Sequence, residues 1–421
     1  MVKENEQLVE QLFRKEYGKL LAILTRLFGP HHIQLAEDIV QETLISALNT
    51  WSTAGVPSNP TGWLIQVAKR KALNELKRNK MIQKHRDSEA LTHELSDEIG
   101  SVFLNNEIRD SQLRMVFTCC HASLDVKSQI ALTLKTLCGF GVKEVANALL
   151  TTESTINKKL YRAKEKIRNS QIPFSIPQGN VLKKKLDTVS LTLYLLFNEG
   201  YNSTAGESVI RKELCLEAIR LVKLLVDYFD DNHKICALLS LMCFHTARFD
   251  ARIDNKGAII LFEDQDRNLW NKDLINIGMH YLKKSIYARS VSSYHIEARI
   301  AAEHCMSDSF EQTNWQSIYD QYMLLAKLKP NPIIKLNLAI IQSKLQSIEV
   351  SLLELEKLAK KEELKDYHLL PATQGIFYMK LKDYQEAIAF LTKSLALKPS
   401  KRESIFIKDK IVICKKLLST N

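Results

Sequence analysis

The chain has 421 residues, a formal net charge of +11, 45% hydrophobic and 25% charged residues, and only 13 glycines, 9 prolines and 8 cysteines. That length allows two to four domains and excludes a disulfide-stapled miniprotein, while the scarcity of glycine and proline leaves few turn formers for a sheet protein and predicts an all-α chain. No run approaches the roughly 20 uncharged apolar residues of a membrane span, and the start MVKENEQLVEQLFRKEYGKLL reads as an amphipathic helix instead of a signal peptide, so the expected location is cytoplasmic, without membrane contact.

Leu8, Leu12, Leu20 and Leu24 fall on a four-residue step and predict one amphipathic helix over 6–28, stopped by Gly29 and Pro30. A second helix over 34–50 turns Leu35, Ile39, Thr43, Ala47 and Trp51 inward and sets Glu37, Asp38, Gln41 and Glu42 on an acidic outer face. Asn59 as N-cap and Pro60 at the first helical position start a third helix over 60–79, with Trp63, Val67 and Leu73 among its apolar residues. These three form one helical domain, 1–80, and the polar, weakly periodic stretch 81–108 reads as a linker.

A second helical domain follows over 109–170. Its end, residues 139–168, has the layout of a helix-turn-helix: Val142, Val145, Ala146 and Leu149 pack within a short helix, 150–153 turn, and Ser154 starts a second helix. Ile156 and Leu160 face inward there, leaving Thr155, Asn157, Lys158, Lys159, Tyr161 and Arg162 outward, a set suited to base edges and phosphates. An ordinary helical hairpin is the plainer reading of the same pattern. The positive charge is locally concentrated: Lys69, Arg70, Lys71, Lys77, Arg78, Lys80, Lys84 and Arg86 oppose only Glu75, and Lys158, Lys159, Arg162, Lys164, Lys166 and Arg168 oppose only Glu165. Two such clusters read as a nucleic-acid footprint in two places, against a merely solvated basic surface.

Taken together, LAEDIVQETLISAL, NPTGWLIQVAKRKALNELKR and residues 139–168 resemble, in order and spacing, a bacterial RNA polymerase sigma factor of the extracytoplasmic-function class. The resemblance implies that Glu37, Asp38, Gln41 and Glu42 dock on core polymerase, that Trp63, Lys69, Arg70, Asn74 and Arg78 serve minus-ten recognition and melting, and that Ser154, Thr155, Asn157, Lys158, Lys159, Tyr161 and Arg162 read the minus-thirty-five element. Physical chemistry agrees with these roles, since an acidic face suits a basic partner and strand capture needs cations with aromatic or pocketed base contacts. Trp63 and Trp51 have an alternative role as core anchors.

Residues 171–180, with two prolines and a glycine, read as a second linker, and 181–421 as a helical extension. Near its end, Gly375, Tyr378, Ala387 and Pro399 fall at tetratricopeptide spacings, with degenerate repeats before them, so a stacked helical array is expected; a non-repetitive bundle is the alternative. GAIILFEDQD is extended or an ordered loop. FTCCHASL, LYLLFNEGY, EDQDRNLW and YHIEARIAAEH resemble the subgroup of these sigma factors that carries such an extension, which implies that the extension itself regulates or supports activity but not what signal it senses; a protein or small-molecule regulator is a candidate partner of this domain. Asn198, Glu199, Gly200, Tyr201, Arg248, Arg252, Glu263, Asp264, Asp266 and Arg267 are polar residues in apolar surroundings and read either as a ligand or interdomain site or as salt bridges between helices.

No catalytic constellation or phosphate-binding glycine loop stands out, so the chain reads as a non-enzyme without cofactor. Cys119, Cys120 and His121, or His245 with Asp250, Asp254 and Glu263, sketch metal sites, but no CxxC pair completes the first and spacing alone supports the second, so the thiols are expected in the core and no metal is expected. The expected partners are core RNA polymerase and promoter DNA. Rival functions are a helix-turn-helix regulator with a peptide-binding repeat domain and a helical-repeat scaffold.

Overall fold

The structure, a computed structural model, describes residues 2–83, 100–201, 208–254 and 259–420. Helices account for nearly all of it, in keeping with the all-α expectation, and the isolated antiparallel bridge between Ile253 and Ile259 is the one extended pairing among the described residues. Most of the expected linker 81–108, with Lys84 and Arg86, lies outside the described residues, as does Gly257. The chain divides into two compact units, 1–199 and 200–421.

In the first unit, α1 (Val2–Phe28), α2 (Ile33–Ala54) and α3 (Pro60–Gln83) run within four residues of the expected limits. Asn59 caps α3 as its position predicts, accepting the Gly62 amide at 2.9 Å. The buried carboxylate of Glu16 on α1 accepts from Lys19 at 2.7 Å and from the Thr61 hydroxyl at 3.3 Å, which ties the start of α3 to α1.

The next helices are α4 (Asn105–Cys119), α5 (Val126–Thr136), α6 (Val142–Ala148) and α7 (Glu153–Asn169). They do not hang apart from the first three on a tether. Gly18 of α1 lies so close to the backbone beyond α5 that a Cβ there would sit 2.1 Å from the Leu137 carbonyl oxygen. Reciprocally Gly139, at φ +70°, leaves room for Arg14, whose carbonyl oxygen a Cβ would approach to 2.6 Å. Phe140 is fully buried under the Arg14 guanidinium, 4.7 Å from its ring, and Arg14 continues to Glu144 at 2.6 Å. Farther along, Arg26 pairs with Glu107 and with Asp110 at 3.2 Å. Thus α1 is a spine shared by both groups of helices.

The segment expected to be a linker at 171–180 is held against α4: Arg114 donates to the Phe174 carbonyl and Thr118 to that of Pro173, both at 3.4 Å. Helix α8 (Gly179–Tyr201) then returns to α5, where the Thr192 hydroxyl donates to the Gln129 amide oxygen at 2.6 Å. The second compact unit starts at Gly200, so that α8 up to Glu199 packs with the first.

That unit contains α9 (Ser208–Tyr228), α10 (His233–Ala247), α11 (Lys272–Ser285), α12 (Ser293–Met306), α13 (Trp315–Leu328), α14 (Pro332–Leu345), α15 (Ile348–Ala359), α16 (Leu369–Lys380), α17 (Tyr384–Ala396) and α18 (Lys401–Thr420). Helix α10 is apolar nearly all round and is buried accordingly. From α12 onward each helix packs on the next. At the α16–α17 crossing a Cβ on Gly375 would meet the Leu391 side chain at 2.7 Å, Ala387 is fully buried, and Tyr378 stacks on Phe390 with ring centres 5.3 Å apart. The segment from Ile259 to Trp270 is an ordered loop with two 3-10 turns.

Because the contact at Gly18 is backbone to backbone, no rotamer change relieves it. Gly18→Ala is expected to lower the unfolding free energy of the first unit by about 1–3 kcal/mol or to loosen α1 from the 137–140 turn. A denaturant melt with an unchanged midpoint would show that the seam is not tight.

Candidate promoter and polymerase surfaces

Helix α2 amends the acidic face drawn from the helical wheel. Asp38, Gln41 and Glu42 are exposed, but Glu37 is 2% exposed and forms an ion pair with Lys164 of α7, so in the packed arrangement it is covered and not part of the open acidic face. A wheel assigns a direction to Glu37 but cannot see that a second helix lies over it. The exposed stripe continues instead through Ile45 and Leu48, each more than half exposed, so that positions 38, 41, 45 and 48 follow one another at steps of three or four residues. Those two apolar residues went unremarked in the sequence; the clue was their phase, which matches the acidic face and not the core. An acidic stripe flanked by uncovered apolar side chains suits a partner with cations and an apolar seat.

On α3, Arg70, Asn74 and Arg78 are exposed at four-residue intervals and form one face. Arg78 is braced by Glu75 at 2.9 Å, and Lys71 reaches Glu42 on α2 at 3.0 Å. Lys69 is half-buried. Trp63 is half-buried with its ring edge against Trp51, centroids 5.4 Å apart, and Trp51 in turn packs on Phe13 at 5.5 Å. Trp51 is therefore a core anchor, while Trp63 keeps part of its surface outside.

The turn-and-helix over α6 and α7 is well formed. Thr152 caps α7, its hydroxyl accepting the Thr155 amide at 3.2 Å, so the helix starts at Glu153, one residue before Ser154. Leu150 takes a positive φ of 50° in the turn, and Val145, Ala146, Ile156 and Leu160 are buried between the two helices. Ser154, Thr155, Asn157, Lys158, Tyr161 and Arg162 are all exposed, Tyr161 at 65%. Lys159 is half-buried, 3.9 Å from Asp125. The opposite side of α7 faces α2 and the turn before it, through Lys164 on Glu37 and through the Arg168 carbonyl, 3.0 Å from His31 Nδ1.

Of the polar residues read as a ligand or interdomain site, Tyr201, Arg248, Arg252 and Arg267 act on one another in the second unit, while Asn198 and Glu199 belong to the first. Asn198 and Glu199 end the first unit; burial raises the proton affinity of Glu199 above the usual carboxylate range, with Lys127 opposing. In the second unit Arg252 lies 3.8 Å over the Tyr201 ring and donates to its carbonyl at 2.9 Å. Arg248 packs on Phe262 at 4.1 Å and Arg267 on Trp270 at 4.6 Å, and Arg267 also donates to the carbonyls of His304, at 2.9 Å, and Ser307. These arginines are engaged by aromatic faces and carbonyls, while Asp264 and Asp266 are exposed. Burial, reinforced by the arginines, pushes His245 and His304 down to about 3, so both are neutral. Glu263 instead pairs with Lys380 at 2.6 Å and Lys344 at 3.2 Å.

Cys119 and Cys120 are buried, with sulfur atoms 3.2 Å from the Thr136 hydroxyl and 3.9 Å from that of Thr133, and burial pushes the Cys120 thiol up to about 12. Among the described residues no three His, Cys, Asp or Glu side chains gather to hold a metal ion, and no helix is long and apolar enough to cross a membrane.

Comparison with known proteins finds three matching segments, the last of which spans the boundary between the two units. Residues 12–81 match sigma-70 region 2, residues 114–167 match sigma-70 region 4, and residues 185–286 match a family of unknown function (DUF6596). The uncharacterized protein R00370 of Rhizobium meliloti is 32% identical over 391 residues, covering 92% of this chain and 91% of that protein. RNA polymerase sigma factor YlaC of Bacillus subtilis is 26% identical over 164 residues, 38% of this chain and 91% of YlaC. The probable ECF RNA polymerase sigma factor SigI of Mycobacterium tuberculosis is 24% identical over 169 residues, 40% of this chain and 57% of SigI. No solved structure matches.

The Glu37–Lys164 pair makes a distinguishable energetic demand. Lys164→Met leaves a buried carboxylate without its cation and is expected to cost about 3–5 kcal/mol, whereas the double variant with Glu37→Gln recovers most of that loss. Equal destabilisation of single and double variants in a denaturant melt would mean that the two side chains do not interact.

Proposed function

We propose, from the matches to sigma-70 regions 2 and 4, that the chain is an extracytoplasmic-function type sigma factor, a promoter-specificity subunit of RNA polymerase whose C-terminal unit modulates its activity. It acts in the cytoplasm, on core polymerase and promoter DNA, and performs no catalysis of its own. The observation that carries this reading is that three outward faces stay uncovered within one unit: Asp38, Gln41, Glu42, Ile45 and Leu48 on α2, Arg70, Asn74 and Arg78 on α3, and Ser154 through Arg162 on α7. The first seats core polymerase. The second holds the melted minus-ten strand, with Trp63 and Lys69 beside it, and the third reads the minus-thirty-five duplex. A regulator that binds DNA only through its helix-turn-helix has no use for the first two.

The same reading requires movement. Two elements centred about 25 base pairs apart are roughly 85 Å apart along duplex DNA, while a compact unit of 199 residues measures roughly 40 Å across. The packed arrangement therefore belongs to the free protein, and α7 leaves α2 when the promoter is bound. The polar contacts of α7 with α2 and the turn before it include the Lys164–Glu37 ion pair and the His31–Arg168 contact, both of a kind that water can replace on opening. The stacked helices of the second unit, with Gly375 and Ala387 at a close crossing, support a tetratricopeptide-like array that biases this opening through contacts with the rest of the chain or with a protein or small-molecule regulator.

Reconstituted transcription with core polymerase and genomic fragments tests the proposal. The chain is expected to make core initiate without another sigma factor. Asp38→Lys with Glu42→Lys is expected to weaken core binding by about 1–3 kcal/mol, Arg162→Ala to weaken duplex binding and lower the salt slope by about one, and Asn74→Ala with Arg78→Ala to impair strand opening in a permanganate footprint. Initiation that depends on a second sigma factor would identify a regulator instead, and no effect on transcription a scaffold.

A further inference from the structure

The second unit contains a cavity of about 370 Å³, within the range of small-molecule sites. Six elements line it: the loop from Ile259 to Glu263, the end of α12, and helices α13, α14, α16 and α18, with aromatic contributions from Phe310 and Trp315. Protein interiors are close-packed, with few voids larger than a water molecule, so a space of this size between ordered helices is not packing slack. Its walls are aliphatic and aromatic almost throughout. His304 is part of the wall, and its buried Nδ1 has no hydrogen-bond partner.

Charge enters the wall mainly at one place. The carboxylate of Glu263 faces two ammonium groups, Lys380 at 2.6 Å and Lys344 at 3.2 Å, and Lys344 also lies 4.7 Å over the Phe310 ring. Two cations face this one carboxylate at the wall, and the further acid that acts on Lys344, Glu311, does so from a fully exposed position where solvent screens it. The other acid in the wall, Glu403, is already engaged by His368 at 3.2 Å and by the Ser400 amide at 2.9 Å, and both contacts hold it ionised below the usual carboxylate range. Arg248 and Arg267, packed on Phe262, add to the positive potential. An anion on an apolar body complements this arrangement, whereas a cation meets repulsion and an uncharged molecule leaves the lysines as they are.

We propose that the second unit binds an apolar monocarboxylate, whose body fills this cavity and whose carboxylate joins Lys344 and Lys380 beside Glu263. The cavity is lined by residues of the second unit alone, and the proposal does not depend on the functional assignment of the first unit. It gives the unit a means of responding to a metabolite, since a ligand that draws the lysines from Glu263 alters how the Ile259–Trp270 loop is held to α14 and α16.

Isothermal titration of the full chain with decanoate, and with decanamide as its uncharged counterpart, tests the proposal. Decanoate is expected to saturate at one equivalent and to bind at least ~10-fold more tightly than decanamide, a difference of about 1.4 kcal/mol. Lys344→Gln and Lys380→Gln each leave Glu263 one partner, and both are expected to erase the preference while decanamide binding persists. Thr373→Phe, which projects a ring into the cavity from α16, is expected to abolish binding of both probes with the thermal unfolding of the chain retained. Should Thr373→Phe fail to fold, the lysine variants still decide the matter. Absence of saturable binding, equal affinity for the two probes, or binding indifferent to both lysines would overturn the proposal, as would occupation by an apolar peptide that excludes decanoate.

Discussion

Everything in the first unit depends on how closely α1 approaches the turn that follows α5. Gly18 and Gly139 let the two backbones meet where any Cβ would collide, and that contact fixes the helix-turn-helix against the three N-terminal helices. The dispersion energy gained by such a seam is spread over many small contacts. Its geometry, however, is stringent, because neither side has a flexible side chain with which to compensate. Arg14 then exploits the closeness, covering Phe140 and reaching Glu144 across the same junction.

Helix α7 has two opposed duties on one short cylinder. Its outer face is polar and basic and uncovered, while Ile156, Leu160, Ala163 and Ile167 face the unit's interior. Lys164 sits at the margin between the two and neutralises Glu37 on α2. A buried pair of this kind contributes little net stability, yet it strongly penalises arrangements that separate the charges without solvating them. It therefore defines the packed arrangement while permitting an opening in which both groups reach water. A helix that holds its neighbour by an ion pair on one side and leaves the other side uncovered would, under the proposed function, couple release to binding.

Much of this was legible in the sequence, and for identifiable reasons. Helix positions followed from four-residue apolar steps, and the start of α3 from Asn59 and Pro60, because caps and periodicity are local. The outward set on α7 was legible from the buried phase of Ile156 and Leu160. Glu37 was not, since its partner lies 127 residues away and a charge on a helical wheel looks solvated until another element covers it. For the same reason the acidic residues around Glu263 gave no hint that Arg248 and Arg267 would prefer aromatic rings to Asp264 and Asp266. The proline-containing stretch at 171–180 suggested a boundary, but its carbonyls accept from Arg114 and Thr118, contacts that composition does not encode.

The claim at the centre of this account is that a unit packed when free must open to place α3 and α7 on separate promoter elements. The most direct measurement is the distance between labels at Gln66→Cys on α3 and Asn169→Cys at the end of α7, both exposed positions, read by energy transfer in the free chain and in a complex with core polymerase and promoter. The free protein is expected to give a distance within roughly 40 Å, and the promoter complex one approaching 85 Å. A short distance retained in a complex that is actively initiating transcription would contradict the account.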